Sequence, residues 1–184
     1  MKIISMALAA FICLSILGLA VPDSAVTGPY NVTFDLGIPK EAYKVEIEEP
    51  EINESLSGEI STQYAIELVN KTGLTRRAAI ILTLYEVEQV LPTKDEIVQI
   101  IKYAILQIEN MHDVEESERM IDGHNGAIAS GKIRSDVGID VDTYSAIYYP
   151  SSTTQVIIFS AYPWENSTLS LLESIHVEEN NSTS

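Results

Sequence analysis

AAIILTLYEVEQVLPTKDEIVQIIKYAILQI, residues Ala78 to Ile108, sets a strand and a helix side by side. Its first part, Ala78-Ala79-Ile80-Ile81-Leu82-Thr83-Leu84-Tyr85, is apolar at both alternating positions, which predicts a central strand buried on both faces. It is too short to cross a bilayer. Pro92 and then Thr93-Lys94-Asp95-Glu96 form a capping box, in which the threonine hydroxyl and the glutamate carboxylate satisfy free amides of a new helix. Ile97, Ile101, Ala104 and Ile108, flanked by Val98, Ile100 and Ile105, give that helix a broad apolar face running to about Met111.

The flanking sequence is mostly strand-like. Val32-Thr33-Phe34-Asp35-Leu36 and Tyr43-Lys44-Val45-Glu46-Ile47 alternate around a turn at Gly37-Ile38-Pro39, and Tyr64, Ile66 and Leu68 share a face between Thr62 and Val69. Glu48 to Glu54 is acidic and reads as a loop. After the helix come Glu116 to Ile121, a turn-rich Asp122-Gly123-His124-Asn125-Gly126, and Ala127 to Ile133. A further hairpin, Val141 to Tyr149 and Gln155 to Tyr162, turns at Pro150-Ser151-Ser152. A short helix, Ser167 to Ser174, closes the domain. The expectation is an α+β fold, an antiparallel sheet packed by one long helix and a short C-terminal helix. Residues 1–20 read as a leader, 21–30 as a linker, 31–178 as a single domain and 179–184 as a polar tail.

The leader and the asparagines define the compartment. Ile3 to Val21 is an uncharged apolar run after Lys2, and the chain carries six Asn-x-Ser/Thr sequons, at Asn31, Asn53, Asn70, Asn166, Asn180 and Asn181. Together they predict export with N-glycosylation, since the sugar is transferred outside the cytosol. Gly18-Leu19-Ala20 fits signal-peptidase cleavage. A run of about 19 apolar residues also suffices for a retained N-terminal anchor. Cys13 is the only cysteine and lies inside this run, so cleavage leaves a chain without disulfides or thiolate chemistry. Abundant sequons without disulfides fit an archaeal envelope.

The formal charge of −16 repels phosphate backbones and anionic headgroups, so nucleic acid is not an expected partner. A membrane is expected only through the N-terminal segment, if it is retained. Another protein, a cell surface or a second copy of the chain remains as partner.

The order of hairpin, strands, long helix, the strand pair carrying Ile121-Asp122-Gly123-His124-Asn125-Gly126, the hairpin ending Ser160-Ala161-Tyr162-Pro163-Trp164, and the helix with Leu171-Leu172-Glu173-Ser174-Ile175 resembles the PsbP-like α/β/α sandwich. It also resembles uncharacterised secreted proteins of methanogenic archaea. The resemblance spans about residues 30 to 178. It implies a non-enzymatic accessory or protein-binding module.

Candidate chemistry is sparse. His124 beside Asp122 could act as an acid/base pair in a hydrolase, but a turn has the same composition because glycine and Asp/Asn suit its backbone. The three histidines, His112, His124 and His176, lack zinc-ligand spacing. Asp136, Asp140 and Asp142 could offer oxygens to calcium, without EF-hand spacing. Tyr144, Tyr148, Tyr149, Tyr162 and Trp164 could line a ligand or sugar surface. No nucleophile elbow or phosphate-binding glycine loop occurs, and no cofactor is expected. The leading expectation is an exported glycoprotein domain acting by contact without catalysis. The rivals are a small-ligand or calcium-binding module and the His124/Asp122 hydrolase.

Overall fold

The computed structural model describes residues 22–55, 58–71, 76–134, 138–161 and 165–180. Its strands, in chain order, are β1 Asp23–Thr27, β2 Tyr30–Phe34, β3 Tyr43–Ile47, β4 Glu51–Glu54, β5 Ile60–Asn70, β6 Arg76–Tyr85, β7 Met111–Ile121, β8 His124–Arg134, β9 Asp140–Ser151, β10 Thr154–Ala161 and β11 His176–Glu179. Helix α1 is Lys94–Leu106 and α2 is Glu165–Ser174.

These strands form two antiparallel sheets. The large one has the order β3-β5-β6-β10-β9-β8-β7, with β4 also paired to β5, and the small one is β1-β2-β11. Strand β6 lies inside the large sheet between β5 and β10, as its two-sided apolar pattern predicts. The α+β expectation and the PsbP-like α/β/α sandwich are overturned, because strands hold 59% and helices 16% of the described residues. The protein is mostly antiparallel β.

Three segments account for much of the difference. The supposed linker 21–30 contains β1 and the turn into β2, the acidic loop ends in β4, and the strand β11 runs into the first residue of the supposed tail, Glu179. Each borrows its order from a partner. β1 and β11 flank β2, while β4 pairs with β5 through Glu51↔Gln63 to Glu54↔Ile60. The folded unit therefore runs beyond 31–178, from β1 to β11.

The large sheet is covered differently on its two faces. Val32 and Phe34 of the small sheet, with Leu171 and Leu172 of α2, pack with Ile66, Leu68, Ile80, Leu82, Tyr148 and Ile158. On the opposite face, Ile97, Ile101 and Ile105 of α1 bury against Ala127, Ala129 and Ile147. Alternation in the strands supplies both cores, since Ala146 and Tyr148 face one way and Ile147 the other. Helix α1 packs mainly over β7, β8 and β9, and Ile157 of β10 borders the same cluster.

The capping box is formed in full. Thr93 Oγ1 accepts from the Glu96 amide, and a Glu96 carboxylate oxygen accepts from the Thr93 amide at 2.7 Å. Hydrogen bonds donated by the Thr93 amide and hydroxyl lower the pKa of the Glu96 carboxyl. The helix ends at Leu106, short of the expected Met111, which instead starts β7. Thr93→Ala is expected to cost about 1 kcal/mol of unfolding free energy in urea titration. An unchanged midpoint would show that α1 does not depend on this cap.

Candidate functional site

The anticipated His124/Asp122 pair is not formed. Asp122 and Gly123 are the two central residues of the β7–β8 turn, with φ of 51° and 75°, and Ile121 pairs with His124 across it. Positive φ at both positions is the type I′ geometry that suits Asp-Gly. His124 thus belongs to β8 and stacks on Tyr148, ring centroids 6.2 Å apart. Asp122 serves His176 instead: Oδ1 lies 2.7 Å from His176 Nδ1, and Oδ2 accepts from the Val177 amide at 2.9 Å. The Asp122 hydrogen bond and charge, aided by Glu178, raise the pKa of the His176 ring. Both carboxylate oxygens are used to hold the start of β11, so this is an anchoring arrangement.

The late aromatics do not share one surface. Tyr148 is fully buried on the small-sheet side, and its hydroxyl is near Asp122 without the geometry of a hydrogen bond. Burial pushes its pKa well up, with the Asp122 charge adding to the effect. Tyr149, next in the strand, packs on the α1 side, where its hydroxyl accepts from Gln155 Nε2 at 2.8 Å. Tyr144 lines a polar recess with Asp113, Glu115, Lys132 and Asp142. Tyr162 and Trp164 lie outside the described residues.

Of the calcium candidates, Asp136 also lies outside the described residues. Asp140 is paired with Arg134 through contacts of 2.9 and 3.3 Å and lies 3.3 Å from His112 Nε2. The Arg134 hydrogen bond, with a smaller contribution from His112, holds the Asp140 carboxyl low. Arg134 already supplies the positive charge that a cation would bring. Asp142 pairs across the strands with Lys132. Among the described residues, no group of three or more His, Cys, Asp or Glu is placed to hold a metal.

A more prominent surface lies at the start of α1. Val90, Leu91 and Pro92 of the preceding loop form a groove of about 550 Å³ with Asp95, Glu96, Gln99 and Ile100 of the helix. Val90 is 95% exposed and Leu91 50%, and Tyr103 farther along the helix is 69% exposed. Val87, Ile100 and Leu106 are also exposed. The loop is fixed by backbone bonds, Tyr85 donating to Thr153 and Gln89 to Ser152. An apolar ridge is thus held in the open.

No protein-family model matches the chain, and no curated protein matches it by sequence. The fold has a similar counterpart among solved structures. It is LpqN, involved in cell envelope biogenesis of Mycobacterium tuberculosis, 11% identical, with a TM-score of 0.48 over 85% of this chain and 90% of that one. It gives no link to the PsbP-like family or to archaeal secreted proteins. Among the described residues, no helix is long and apolar enough to cross a membrane.

The sequons lie on other elements. Asn31 is half-exposed on β2, where alternation turns it away from buried Tyr30, Val32 and Phe34. Asn53 on β4 and Asn70 at the end of β5 are half-exposed, and Asn180 is exposed just after β11. Asn166 is the second residue of α2, and Asn181 lies outside the described residues. No polar motif marks the groove in the sequence. The available signal was Val90-Leu91 in an otherwise polar loop, together with Ile100 and Tyr103 beside the Ile97, Ile101, Ile105 stripe.

Proposed function

We propose that this chain is an exported, N-glycosylated domain, secreted or held at the outer face of a cell envelope, that acts by contact with another protein without catalysis. The apolar ridge from Val87 to Tyr103 carries this reading. Exposed hydrophobic groups are individually ordinary, but here several gather around one groove on a helix whose inner face is already satisfied by the sheet. None of the six sequons falls in this ridge, so glycans at Asn31, Asn53, Asn70 and Asn180 would leave it open.

A photo-crosslinking residue at Tyr103, in protein expressed in its own host, is expected to give discrete heavier adducts. The same residue at Glu49, outside the ridge, should give none. Equal yields from the two positions would defeat the contact reading. Intact mass is expected to exceed the sequence mass by sugar increments, and unmodified asparagines at every sequon would defeat the glycoprotein part.

A further inference from the structure

The composition of the groove narrows the kind of partner that fits it. Its floor is Val90, Leu91, Pro92 and Ile100, and the charged groups lining it are the two carboxylates of Asp95 and Glu96. The loop forming one wall adds exposed Glu86 and Glu88. The nearby lysines are directed elsewhere. Lys94 lines a separate recess with Glu118, Arg119 and Met120, and Lys102 pairs with Glu116 of β7. Among the described residues, the groove lining therefore pairs an apolar floor with acidic charge alone.

That combination discriminates among occupants. A second copy would bring the same acidic surface against these carboxylates, and an anionic membrane would place headgroup phosphates beside them; both contacts are repulsive within a Debye length. A segment with apolar side chains on one face and Lys or Arg at its margins would gain burial and charge pairing together. We propose that the groove between residues 87–92 and the first two turns of α1 docks a basic, amphipathic segment of a partner protein. Its apolar side chains lie on Val90, Leu91 and Ile100, and its cations lie at Asp95 and Glu96. This rests on the contact reading above and adds the chemistry of the partner.

The probe is a dye-labelled 18-residue Leu/Lys peptide of helical periodicity, compared with Leu/Gln and Leu/Glu peptides that have the same apolar face. Binding to the full chain is read by fluorescence anisotropy at low salt. The Leu/Lys peptide is expected to bind at least about tenfold more tightly than the Leu/Gln peptide, and the Leu/Glu peptide not to bind, as charge pairing beside an apolar floor requires. Asp95→Asn should weaken Leu/Lys binding about threefold, roughly what one partly exposed charge pair supplies. Val90→Ser and Leu91→Ser together should weaken it by about tenfold or more through lost apolar burial. Val90 is almost wholly exposed, so its replacement also serves where another variant folds poorly.

Glu51→Gln on β4 is the control for diffuse attraction to an acidic protein. If it weakens binding as much as Asp95→Asn, the docking site is overturned. Equal affinity for Leu/Lys and Leu/Gln overturns the basic partner while leaving contact through the ridge intact. Absence of binding by every peptide overturns the proposal, and the Tyr103 crosslink then decides the contact reading separately.

Discussion

Truncating Phe34 to alanine is expected to lower the unfolding free energy by about 3–5 kcal/mol, the range for deleting a buried aromatic ring. Phe34 is fully buried on β2, the central strand of the small sheet, within the cluster that joins this sheet to the large one. The small sheet has short strands, so its attachment depends on a few such side chains. They include Tyr30, whose buried hydroxyl lies 3.0 Å from Thr154 Oγ1 on β10. The substitution should lower the urea midpoint with little change in slope. A loss below about 1 kcal/mol would contradict a ring packed between two sheets, because even one buried methylene contributes about that much.

The parts legible in the sequence are those in which local chemistry and final structure agree. Thr93 to Glu96 announced α1, the two-sided apolar run announced β6, and Asp122-Gly123 announced a turn. The missed strands owe their order to distant partners. β1 sits beside Pro22, Gly28 and Pro29, and β11 is a four-residue segment with two glutamates, yet they flank β2 from opposite ends of the chain. Local patterning cannot express that pairing. The same limitation scattered the expected sites. Tyr148 and Tyr149 are neighbours in sequence but face opposite sides of β9, while Asp122 passes over its neighbour His124 for His176.

Fold and groove are related through this asymmetric cover. Helix α1 is needed on the outer face of β7, β8 and β9, and the loop that delivers the chain to it must leave β6 at Tyr85 and cross toward Thr93. Hydrogen bonds to Ser152 and Thr153 hold that crossing at the β9–β10 turn. Its apolar side chains are therefore displayed by a fixed backbone. A rigid display lowers the ordering cost of binding, which suits a surface used for contact.

Asp122→Ala is expected to cost about 2.5–4 kcal/mol, with two identifiable contributions. One is the charge-assisted bond from the Val177 amide, about 1.5–3 kcal/mol. The other is the left-handed turn conformation, which alanine adopts at a cost of about 1 kcal/mol. Asp122→Asn separates them, because asparagine tolerates this backbone and retains an acceptor for Val177 while losing the charge. His176 adds a pH dependence. Its folded pKa is raised above the ordinary 6.5 by Asp122, so its stabilisation is fully present below that value and is lost as pH rises through the folded pKa. Wild-type stability should thus fall as pH climbs above 6.5, whereas Asp122→Asn and His176→Gln should lack this component. The check is a series of urea titrations across that interval, with the His176 ring followed by NMR. If Asp122→Asn keeps the wild-type slope, the Asp122–His176 contact does not help hold β11 against the β7–β8 turn.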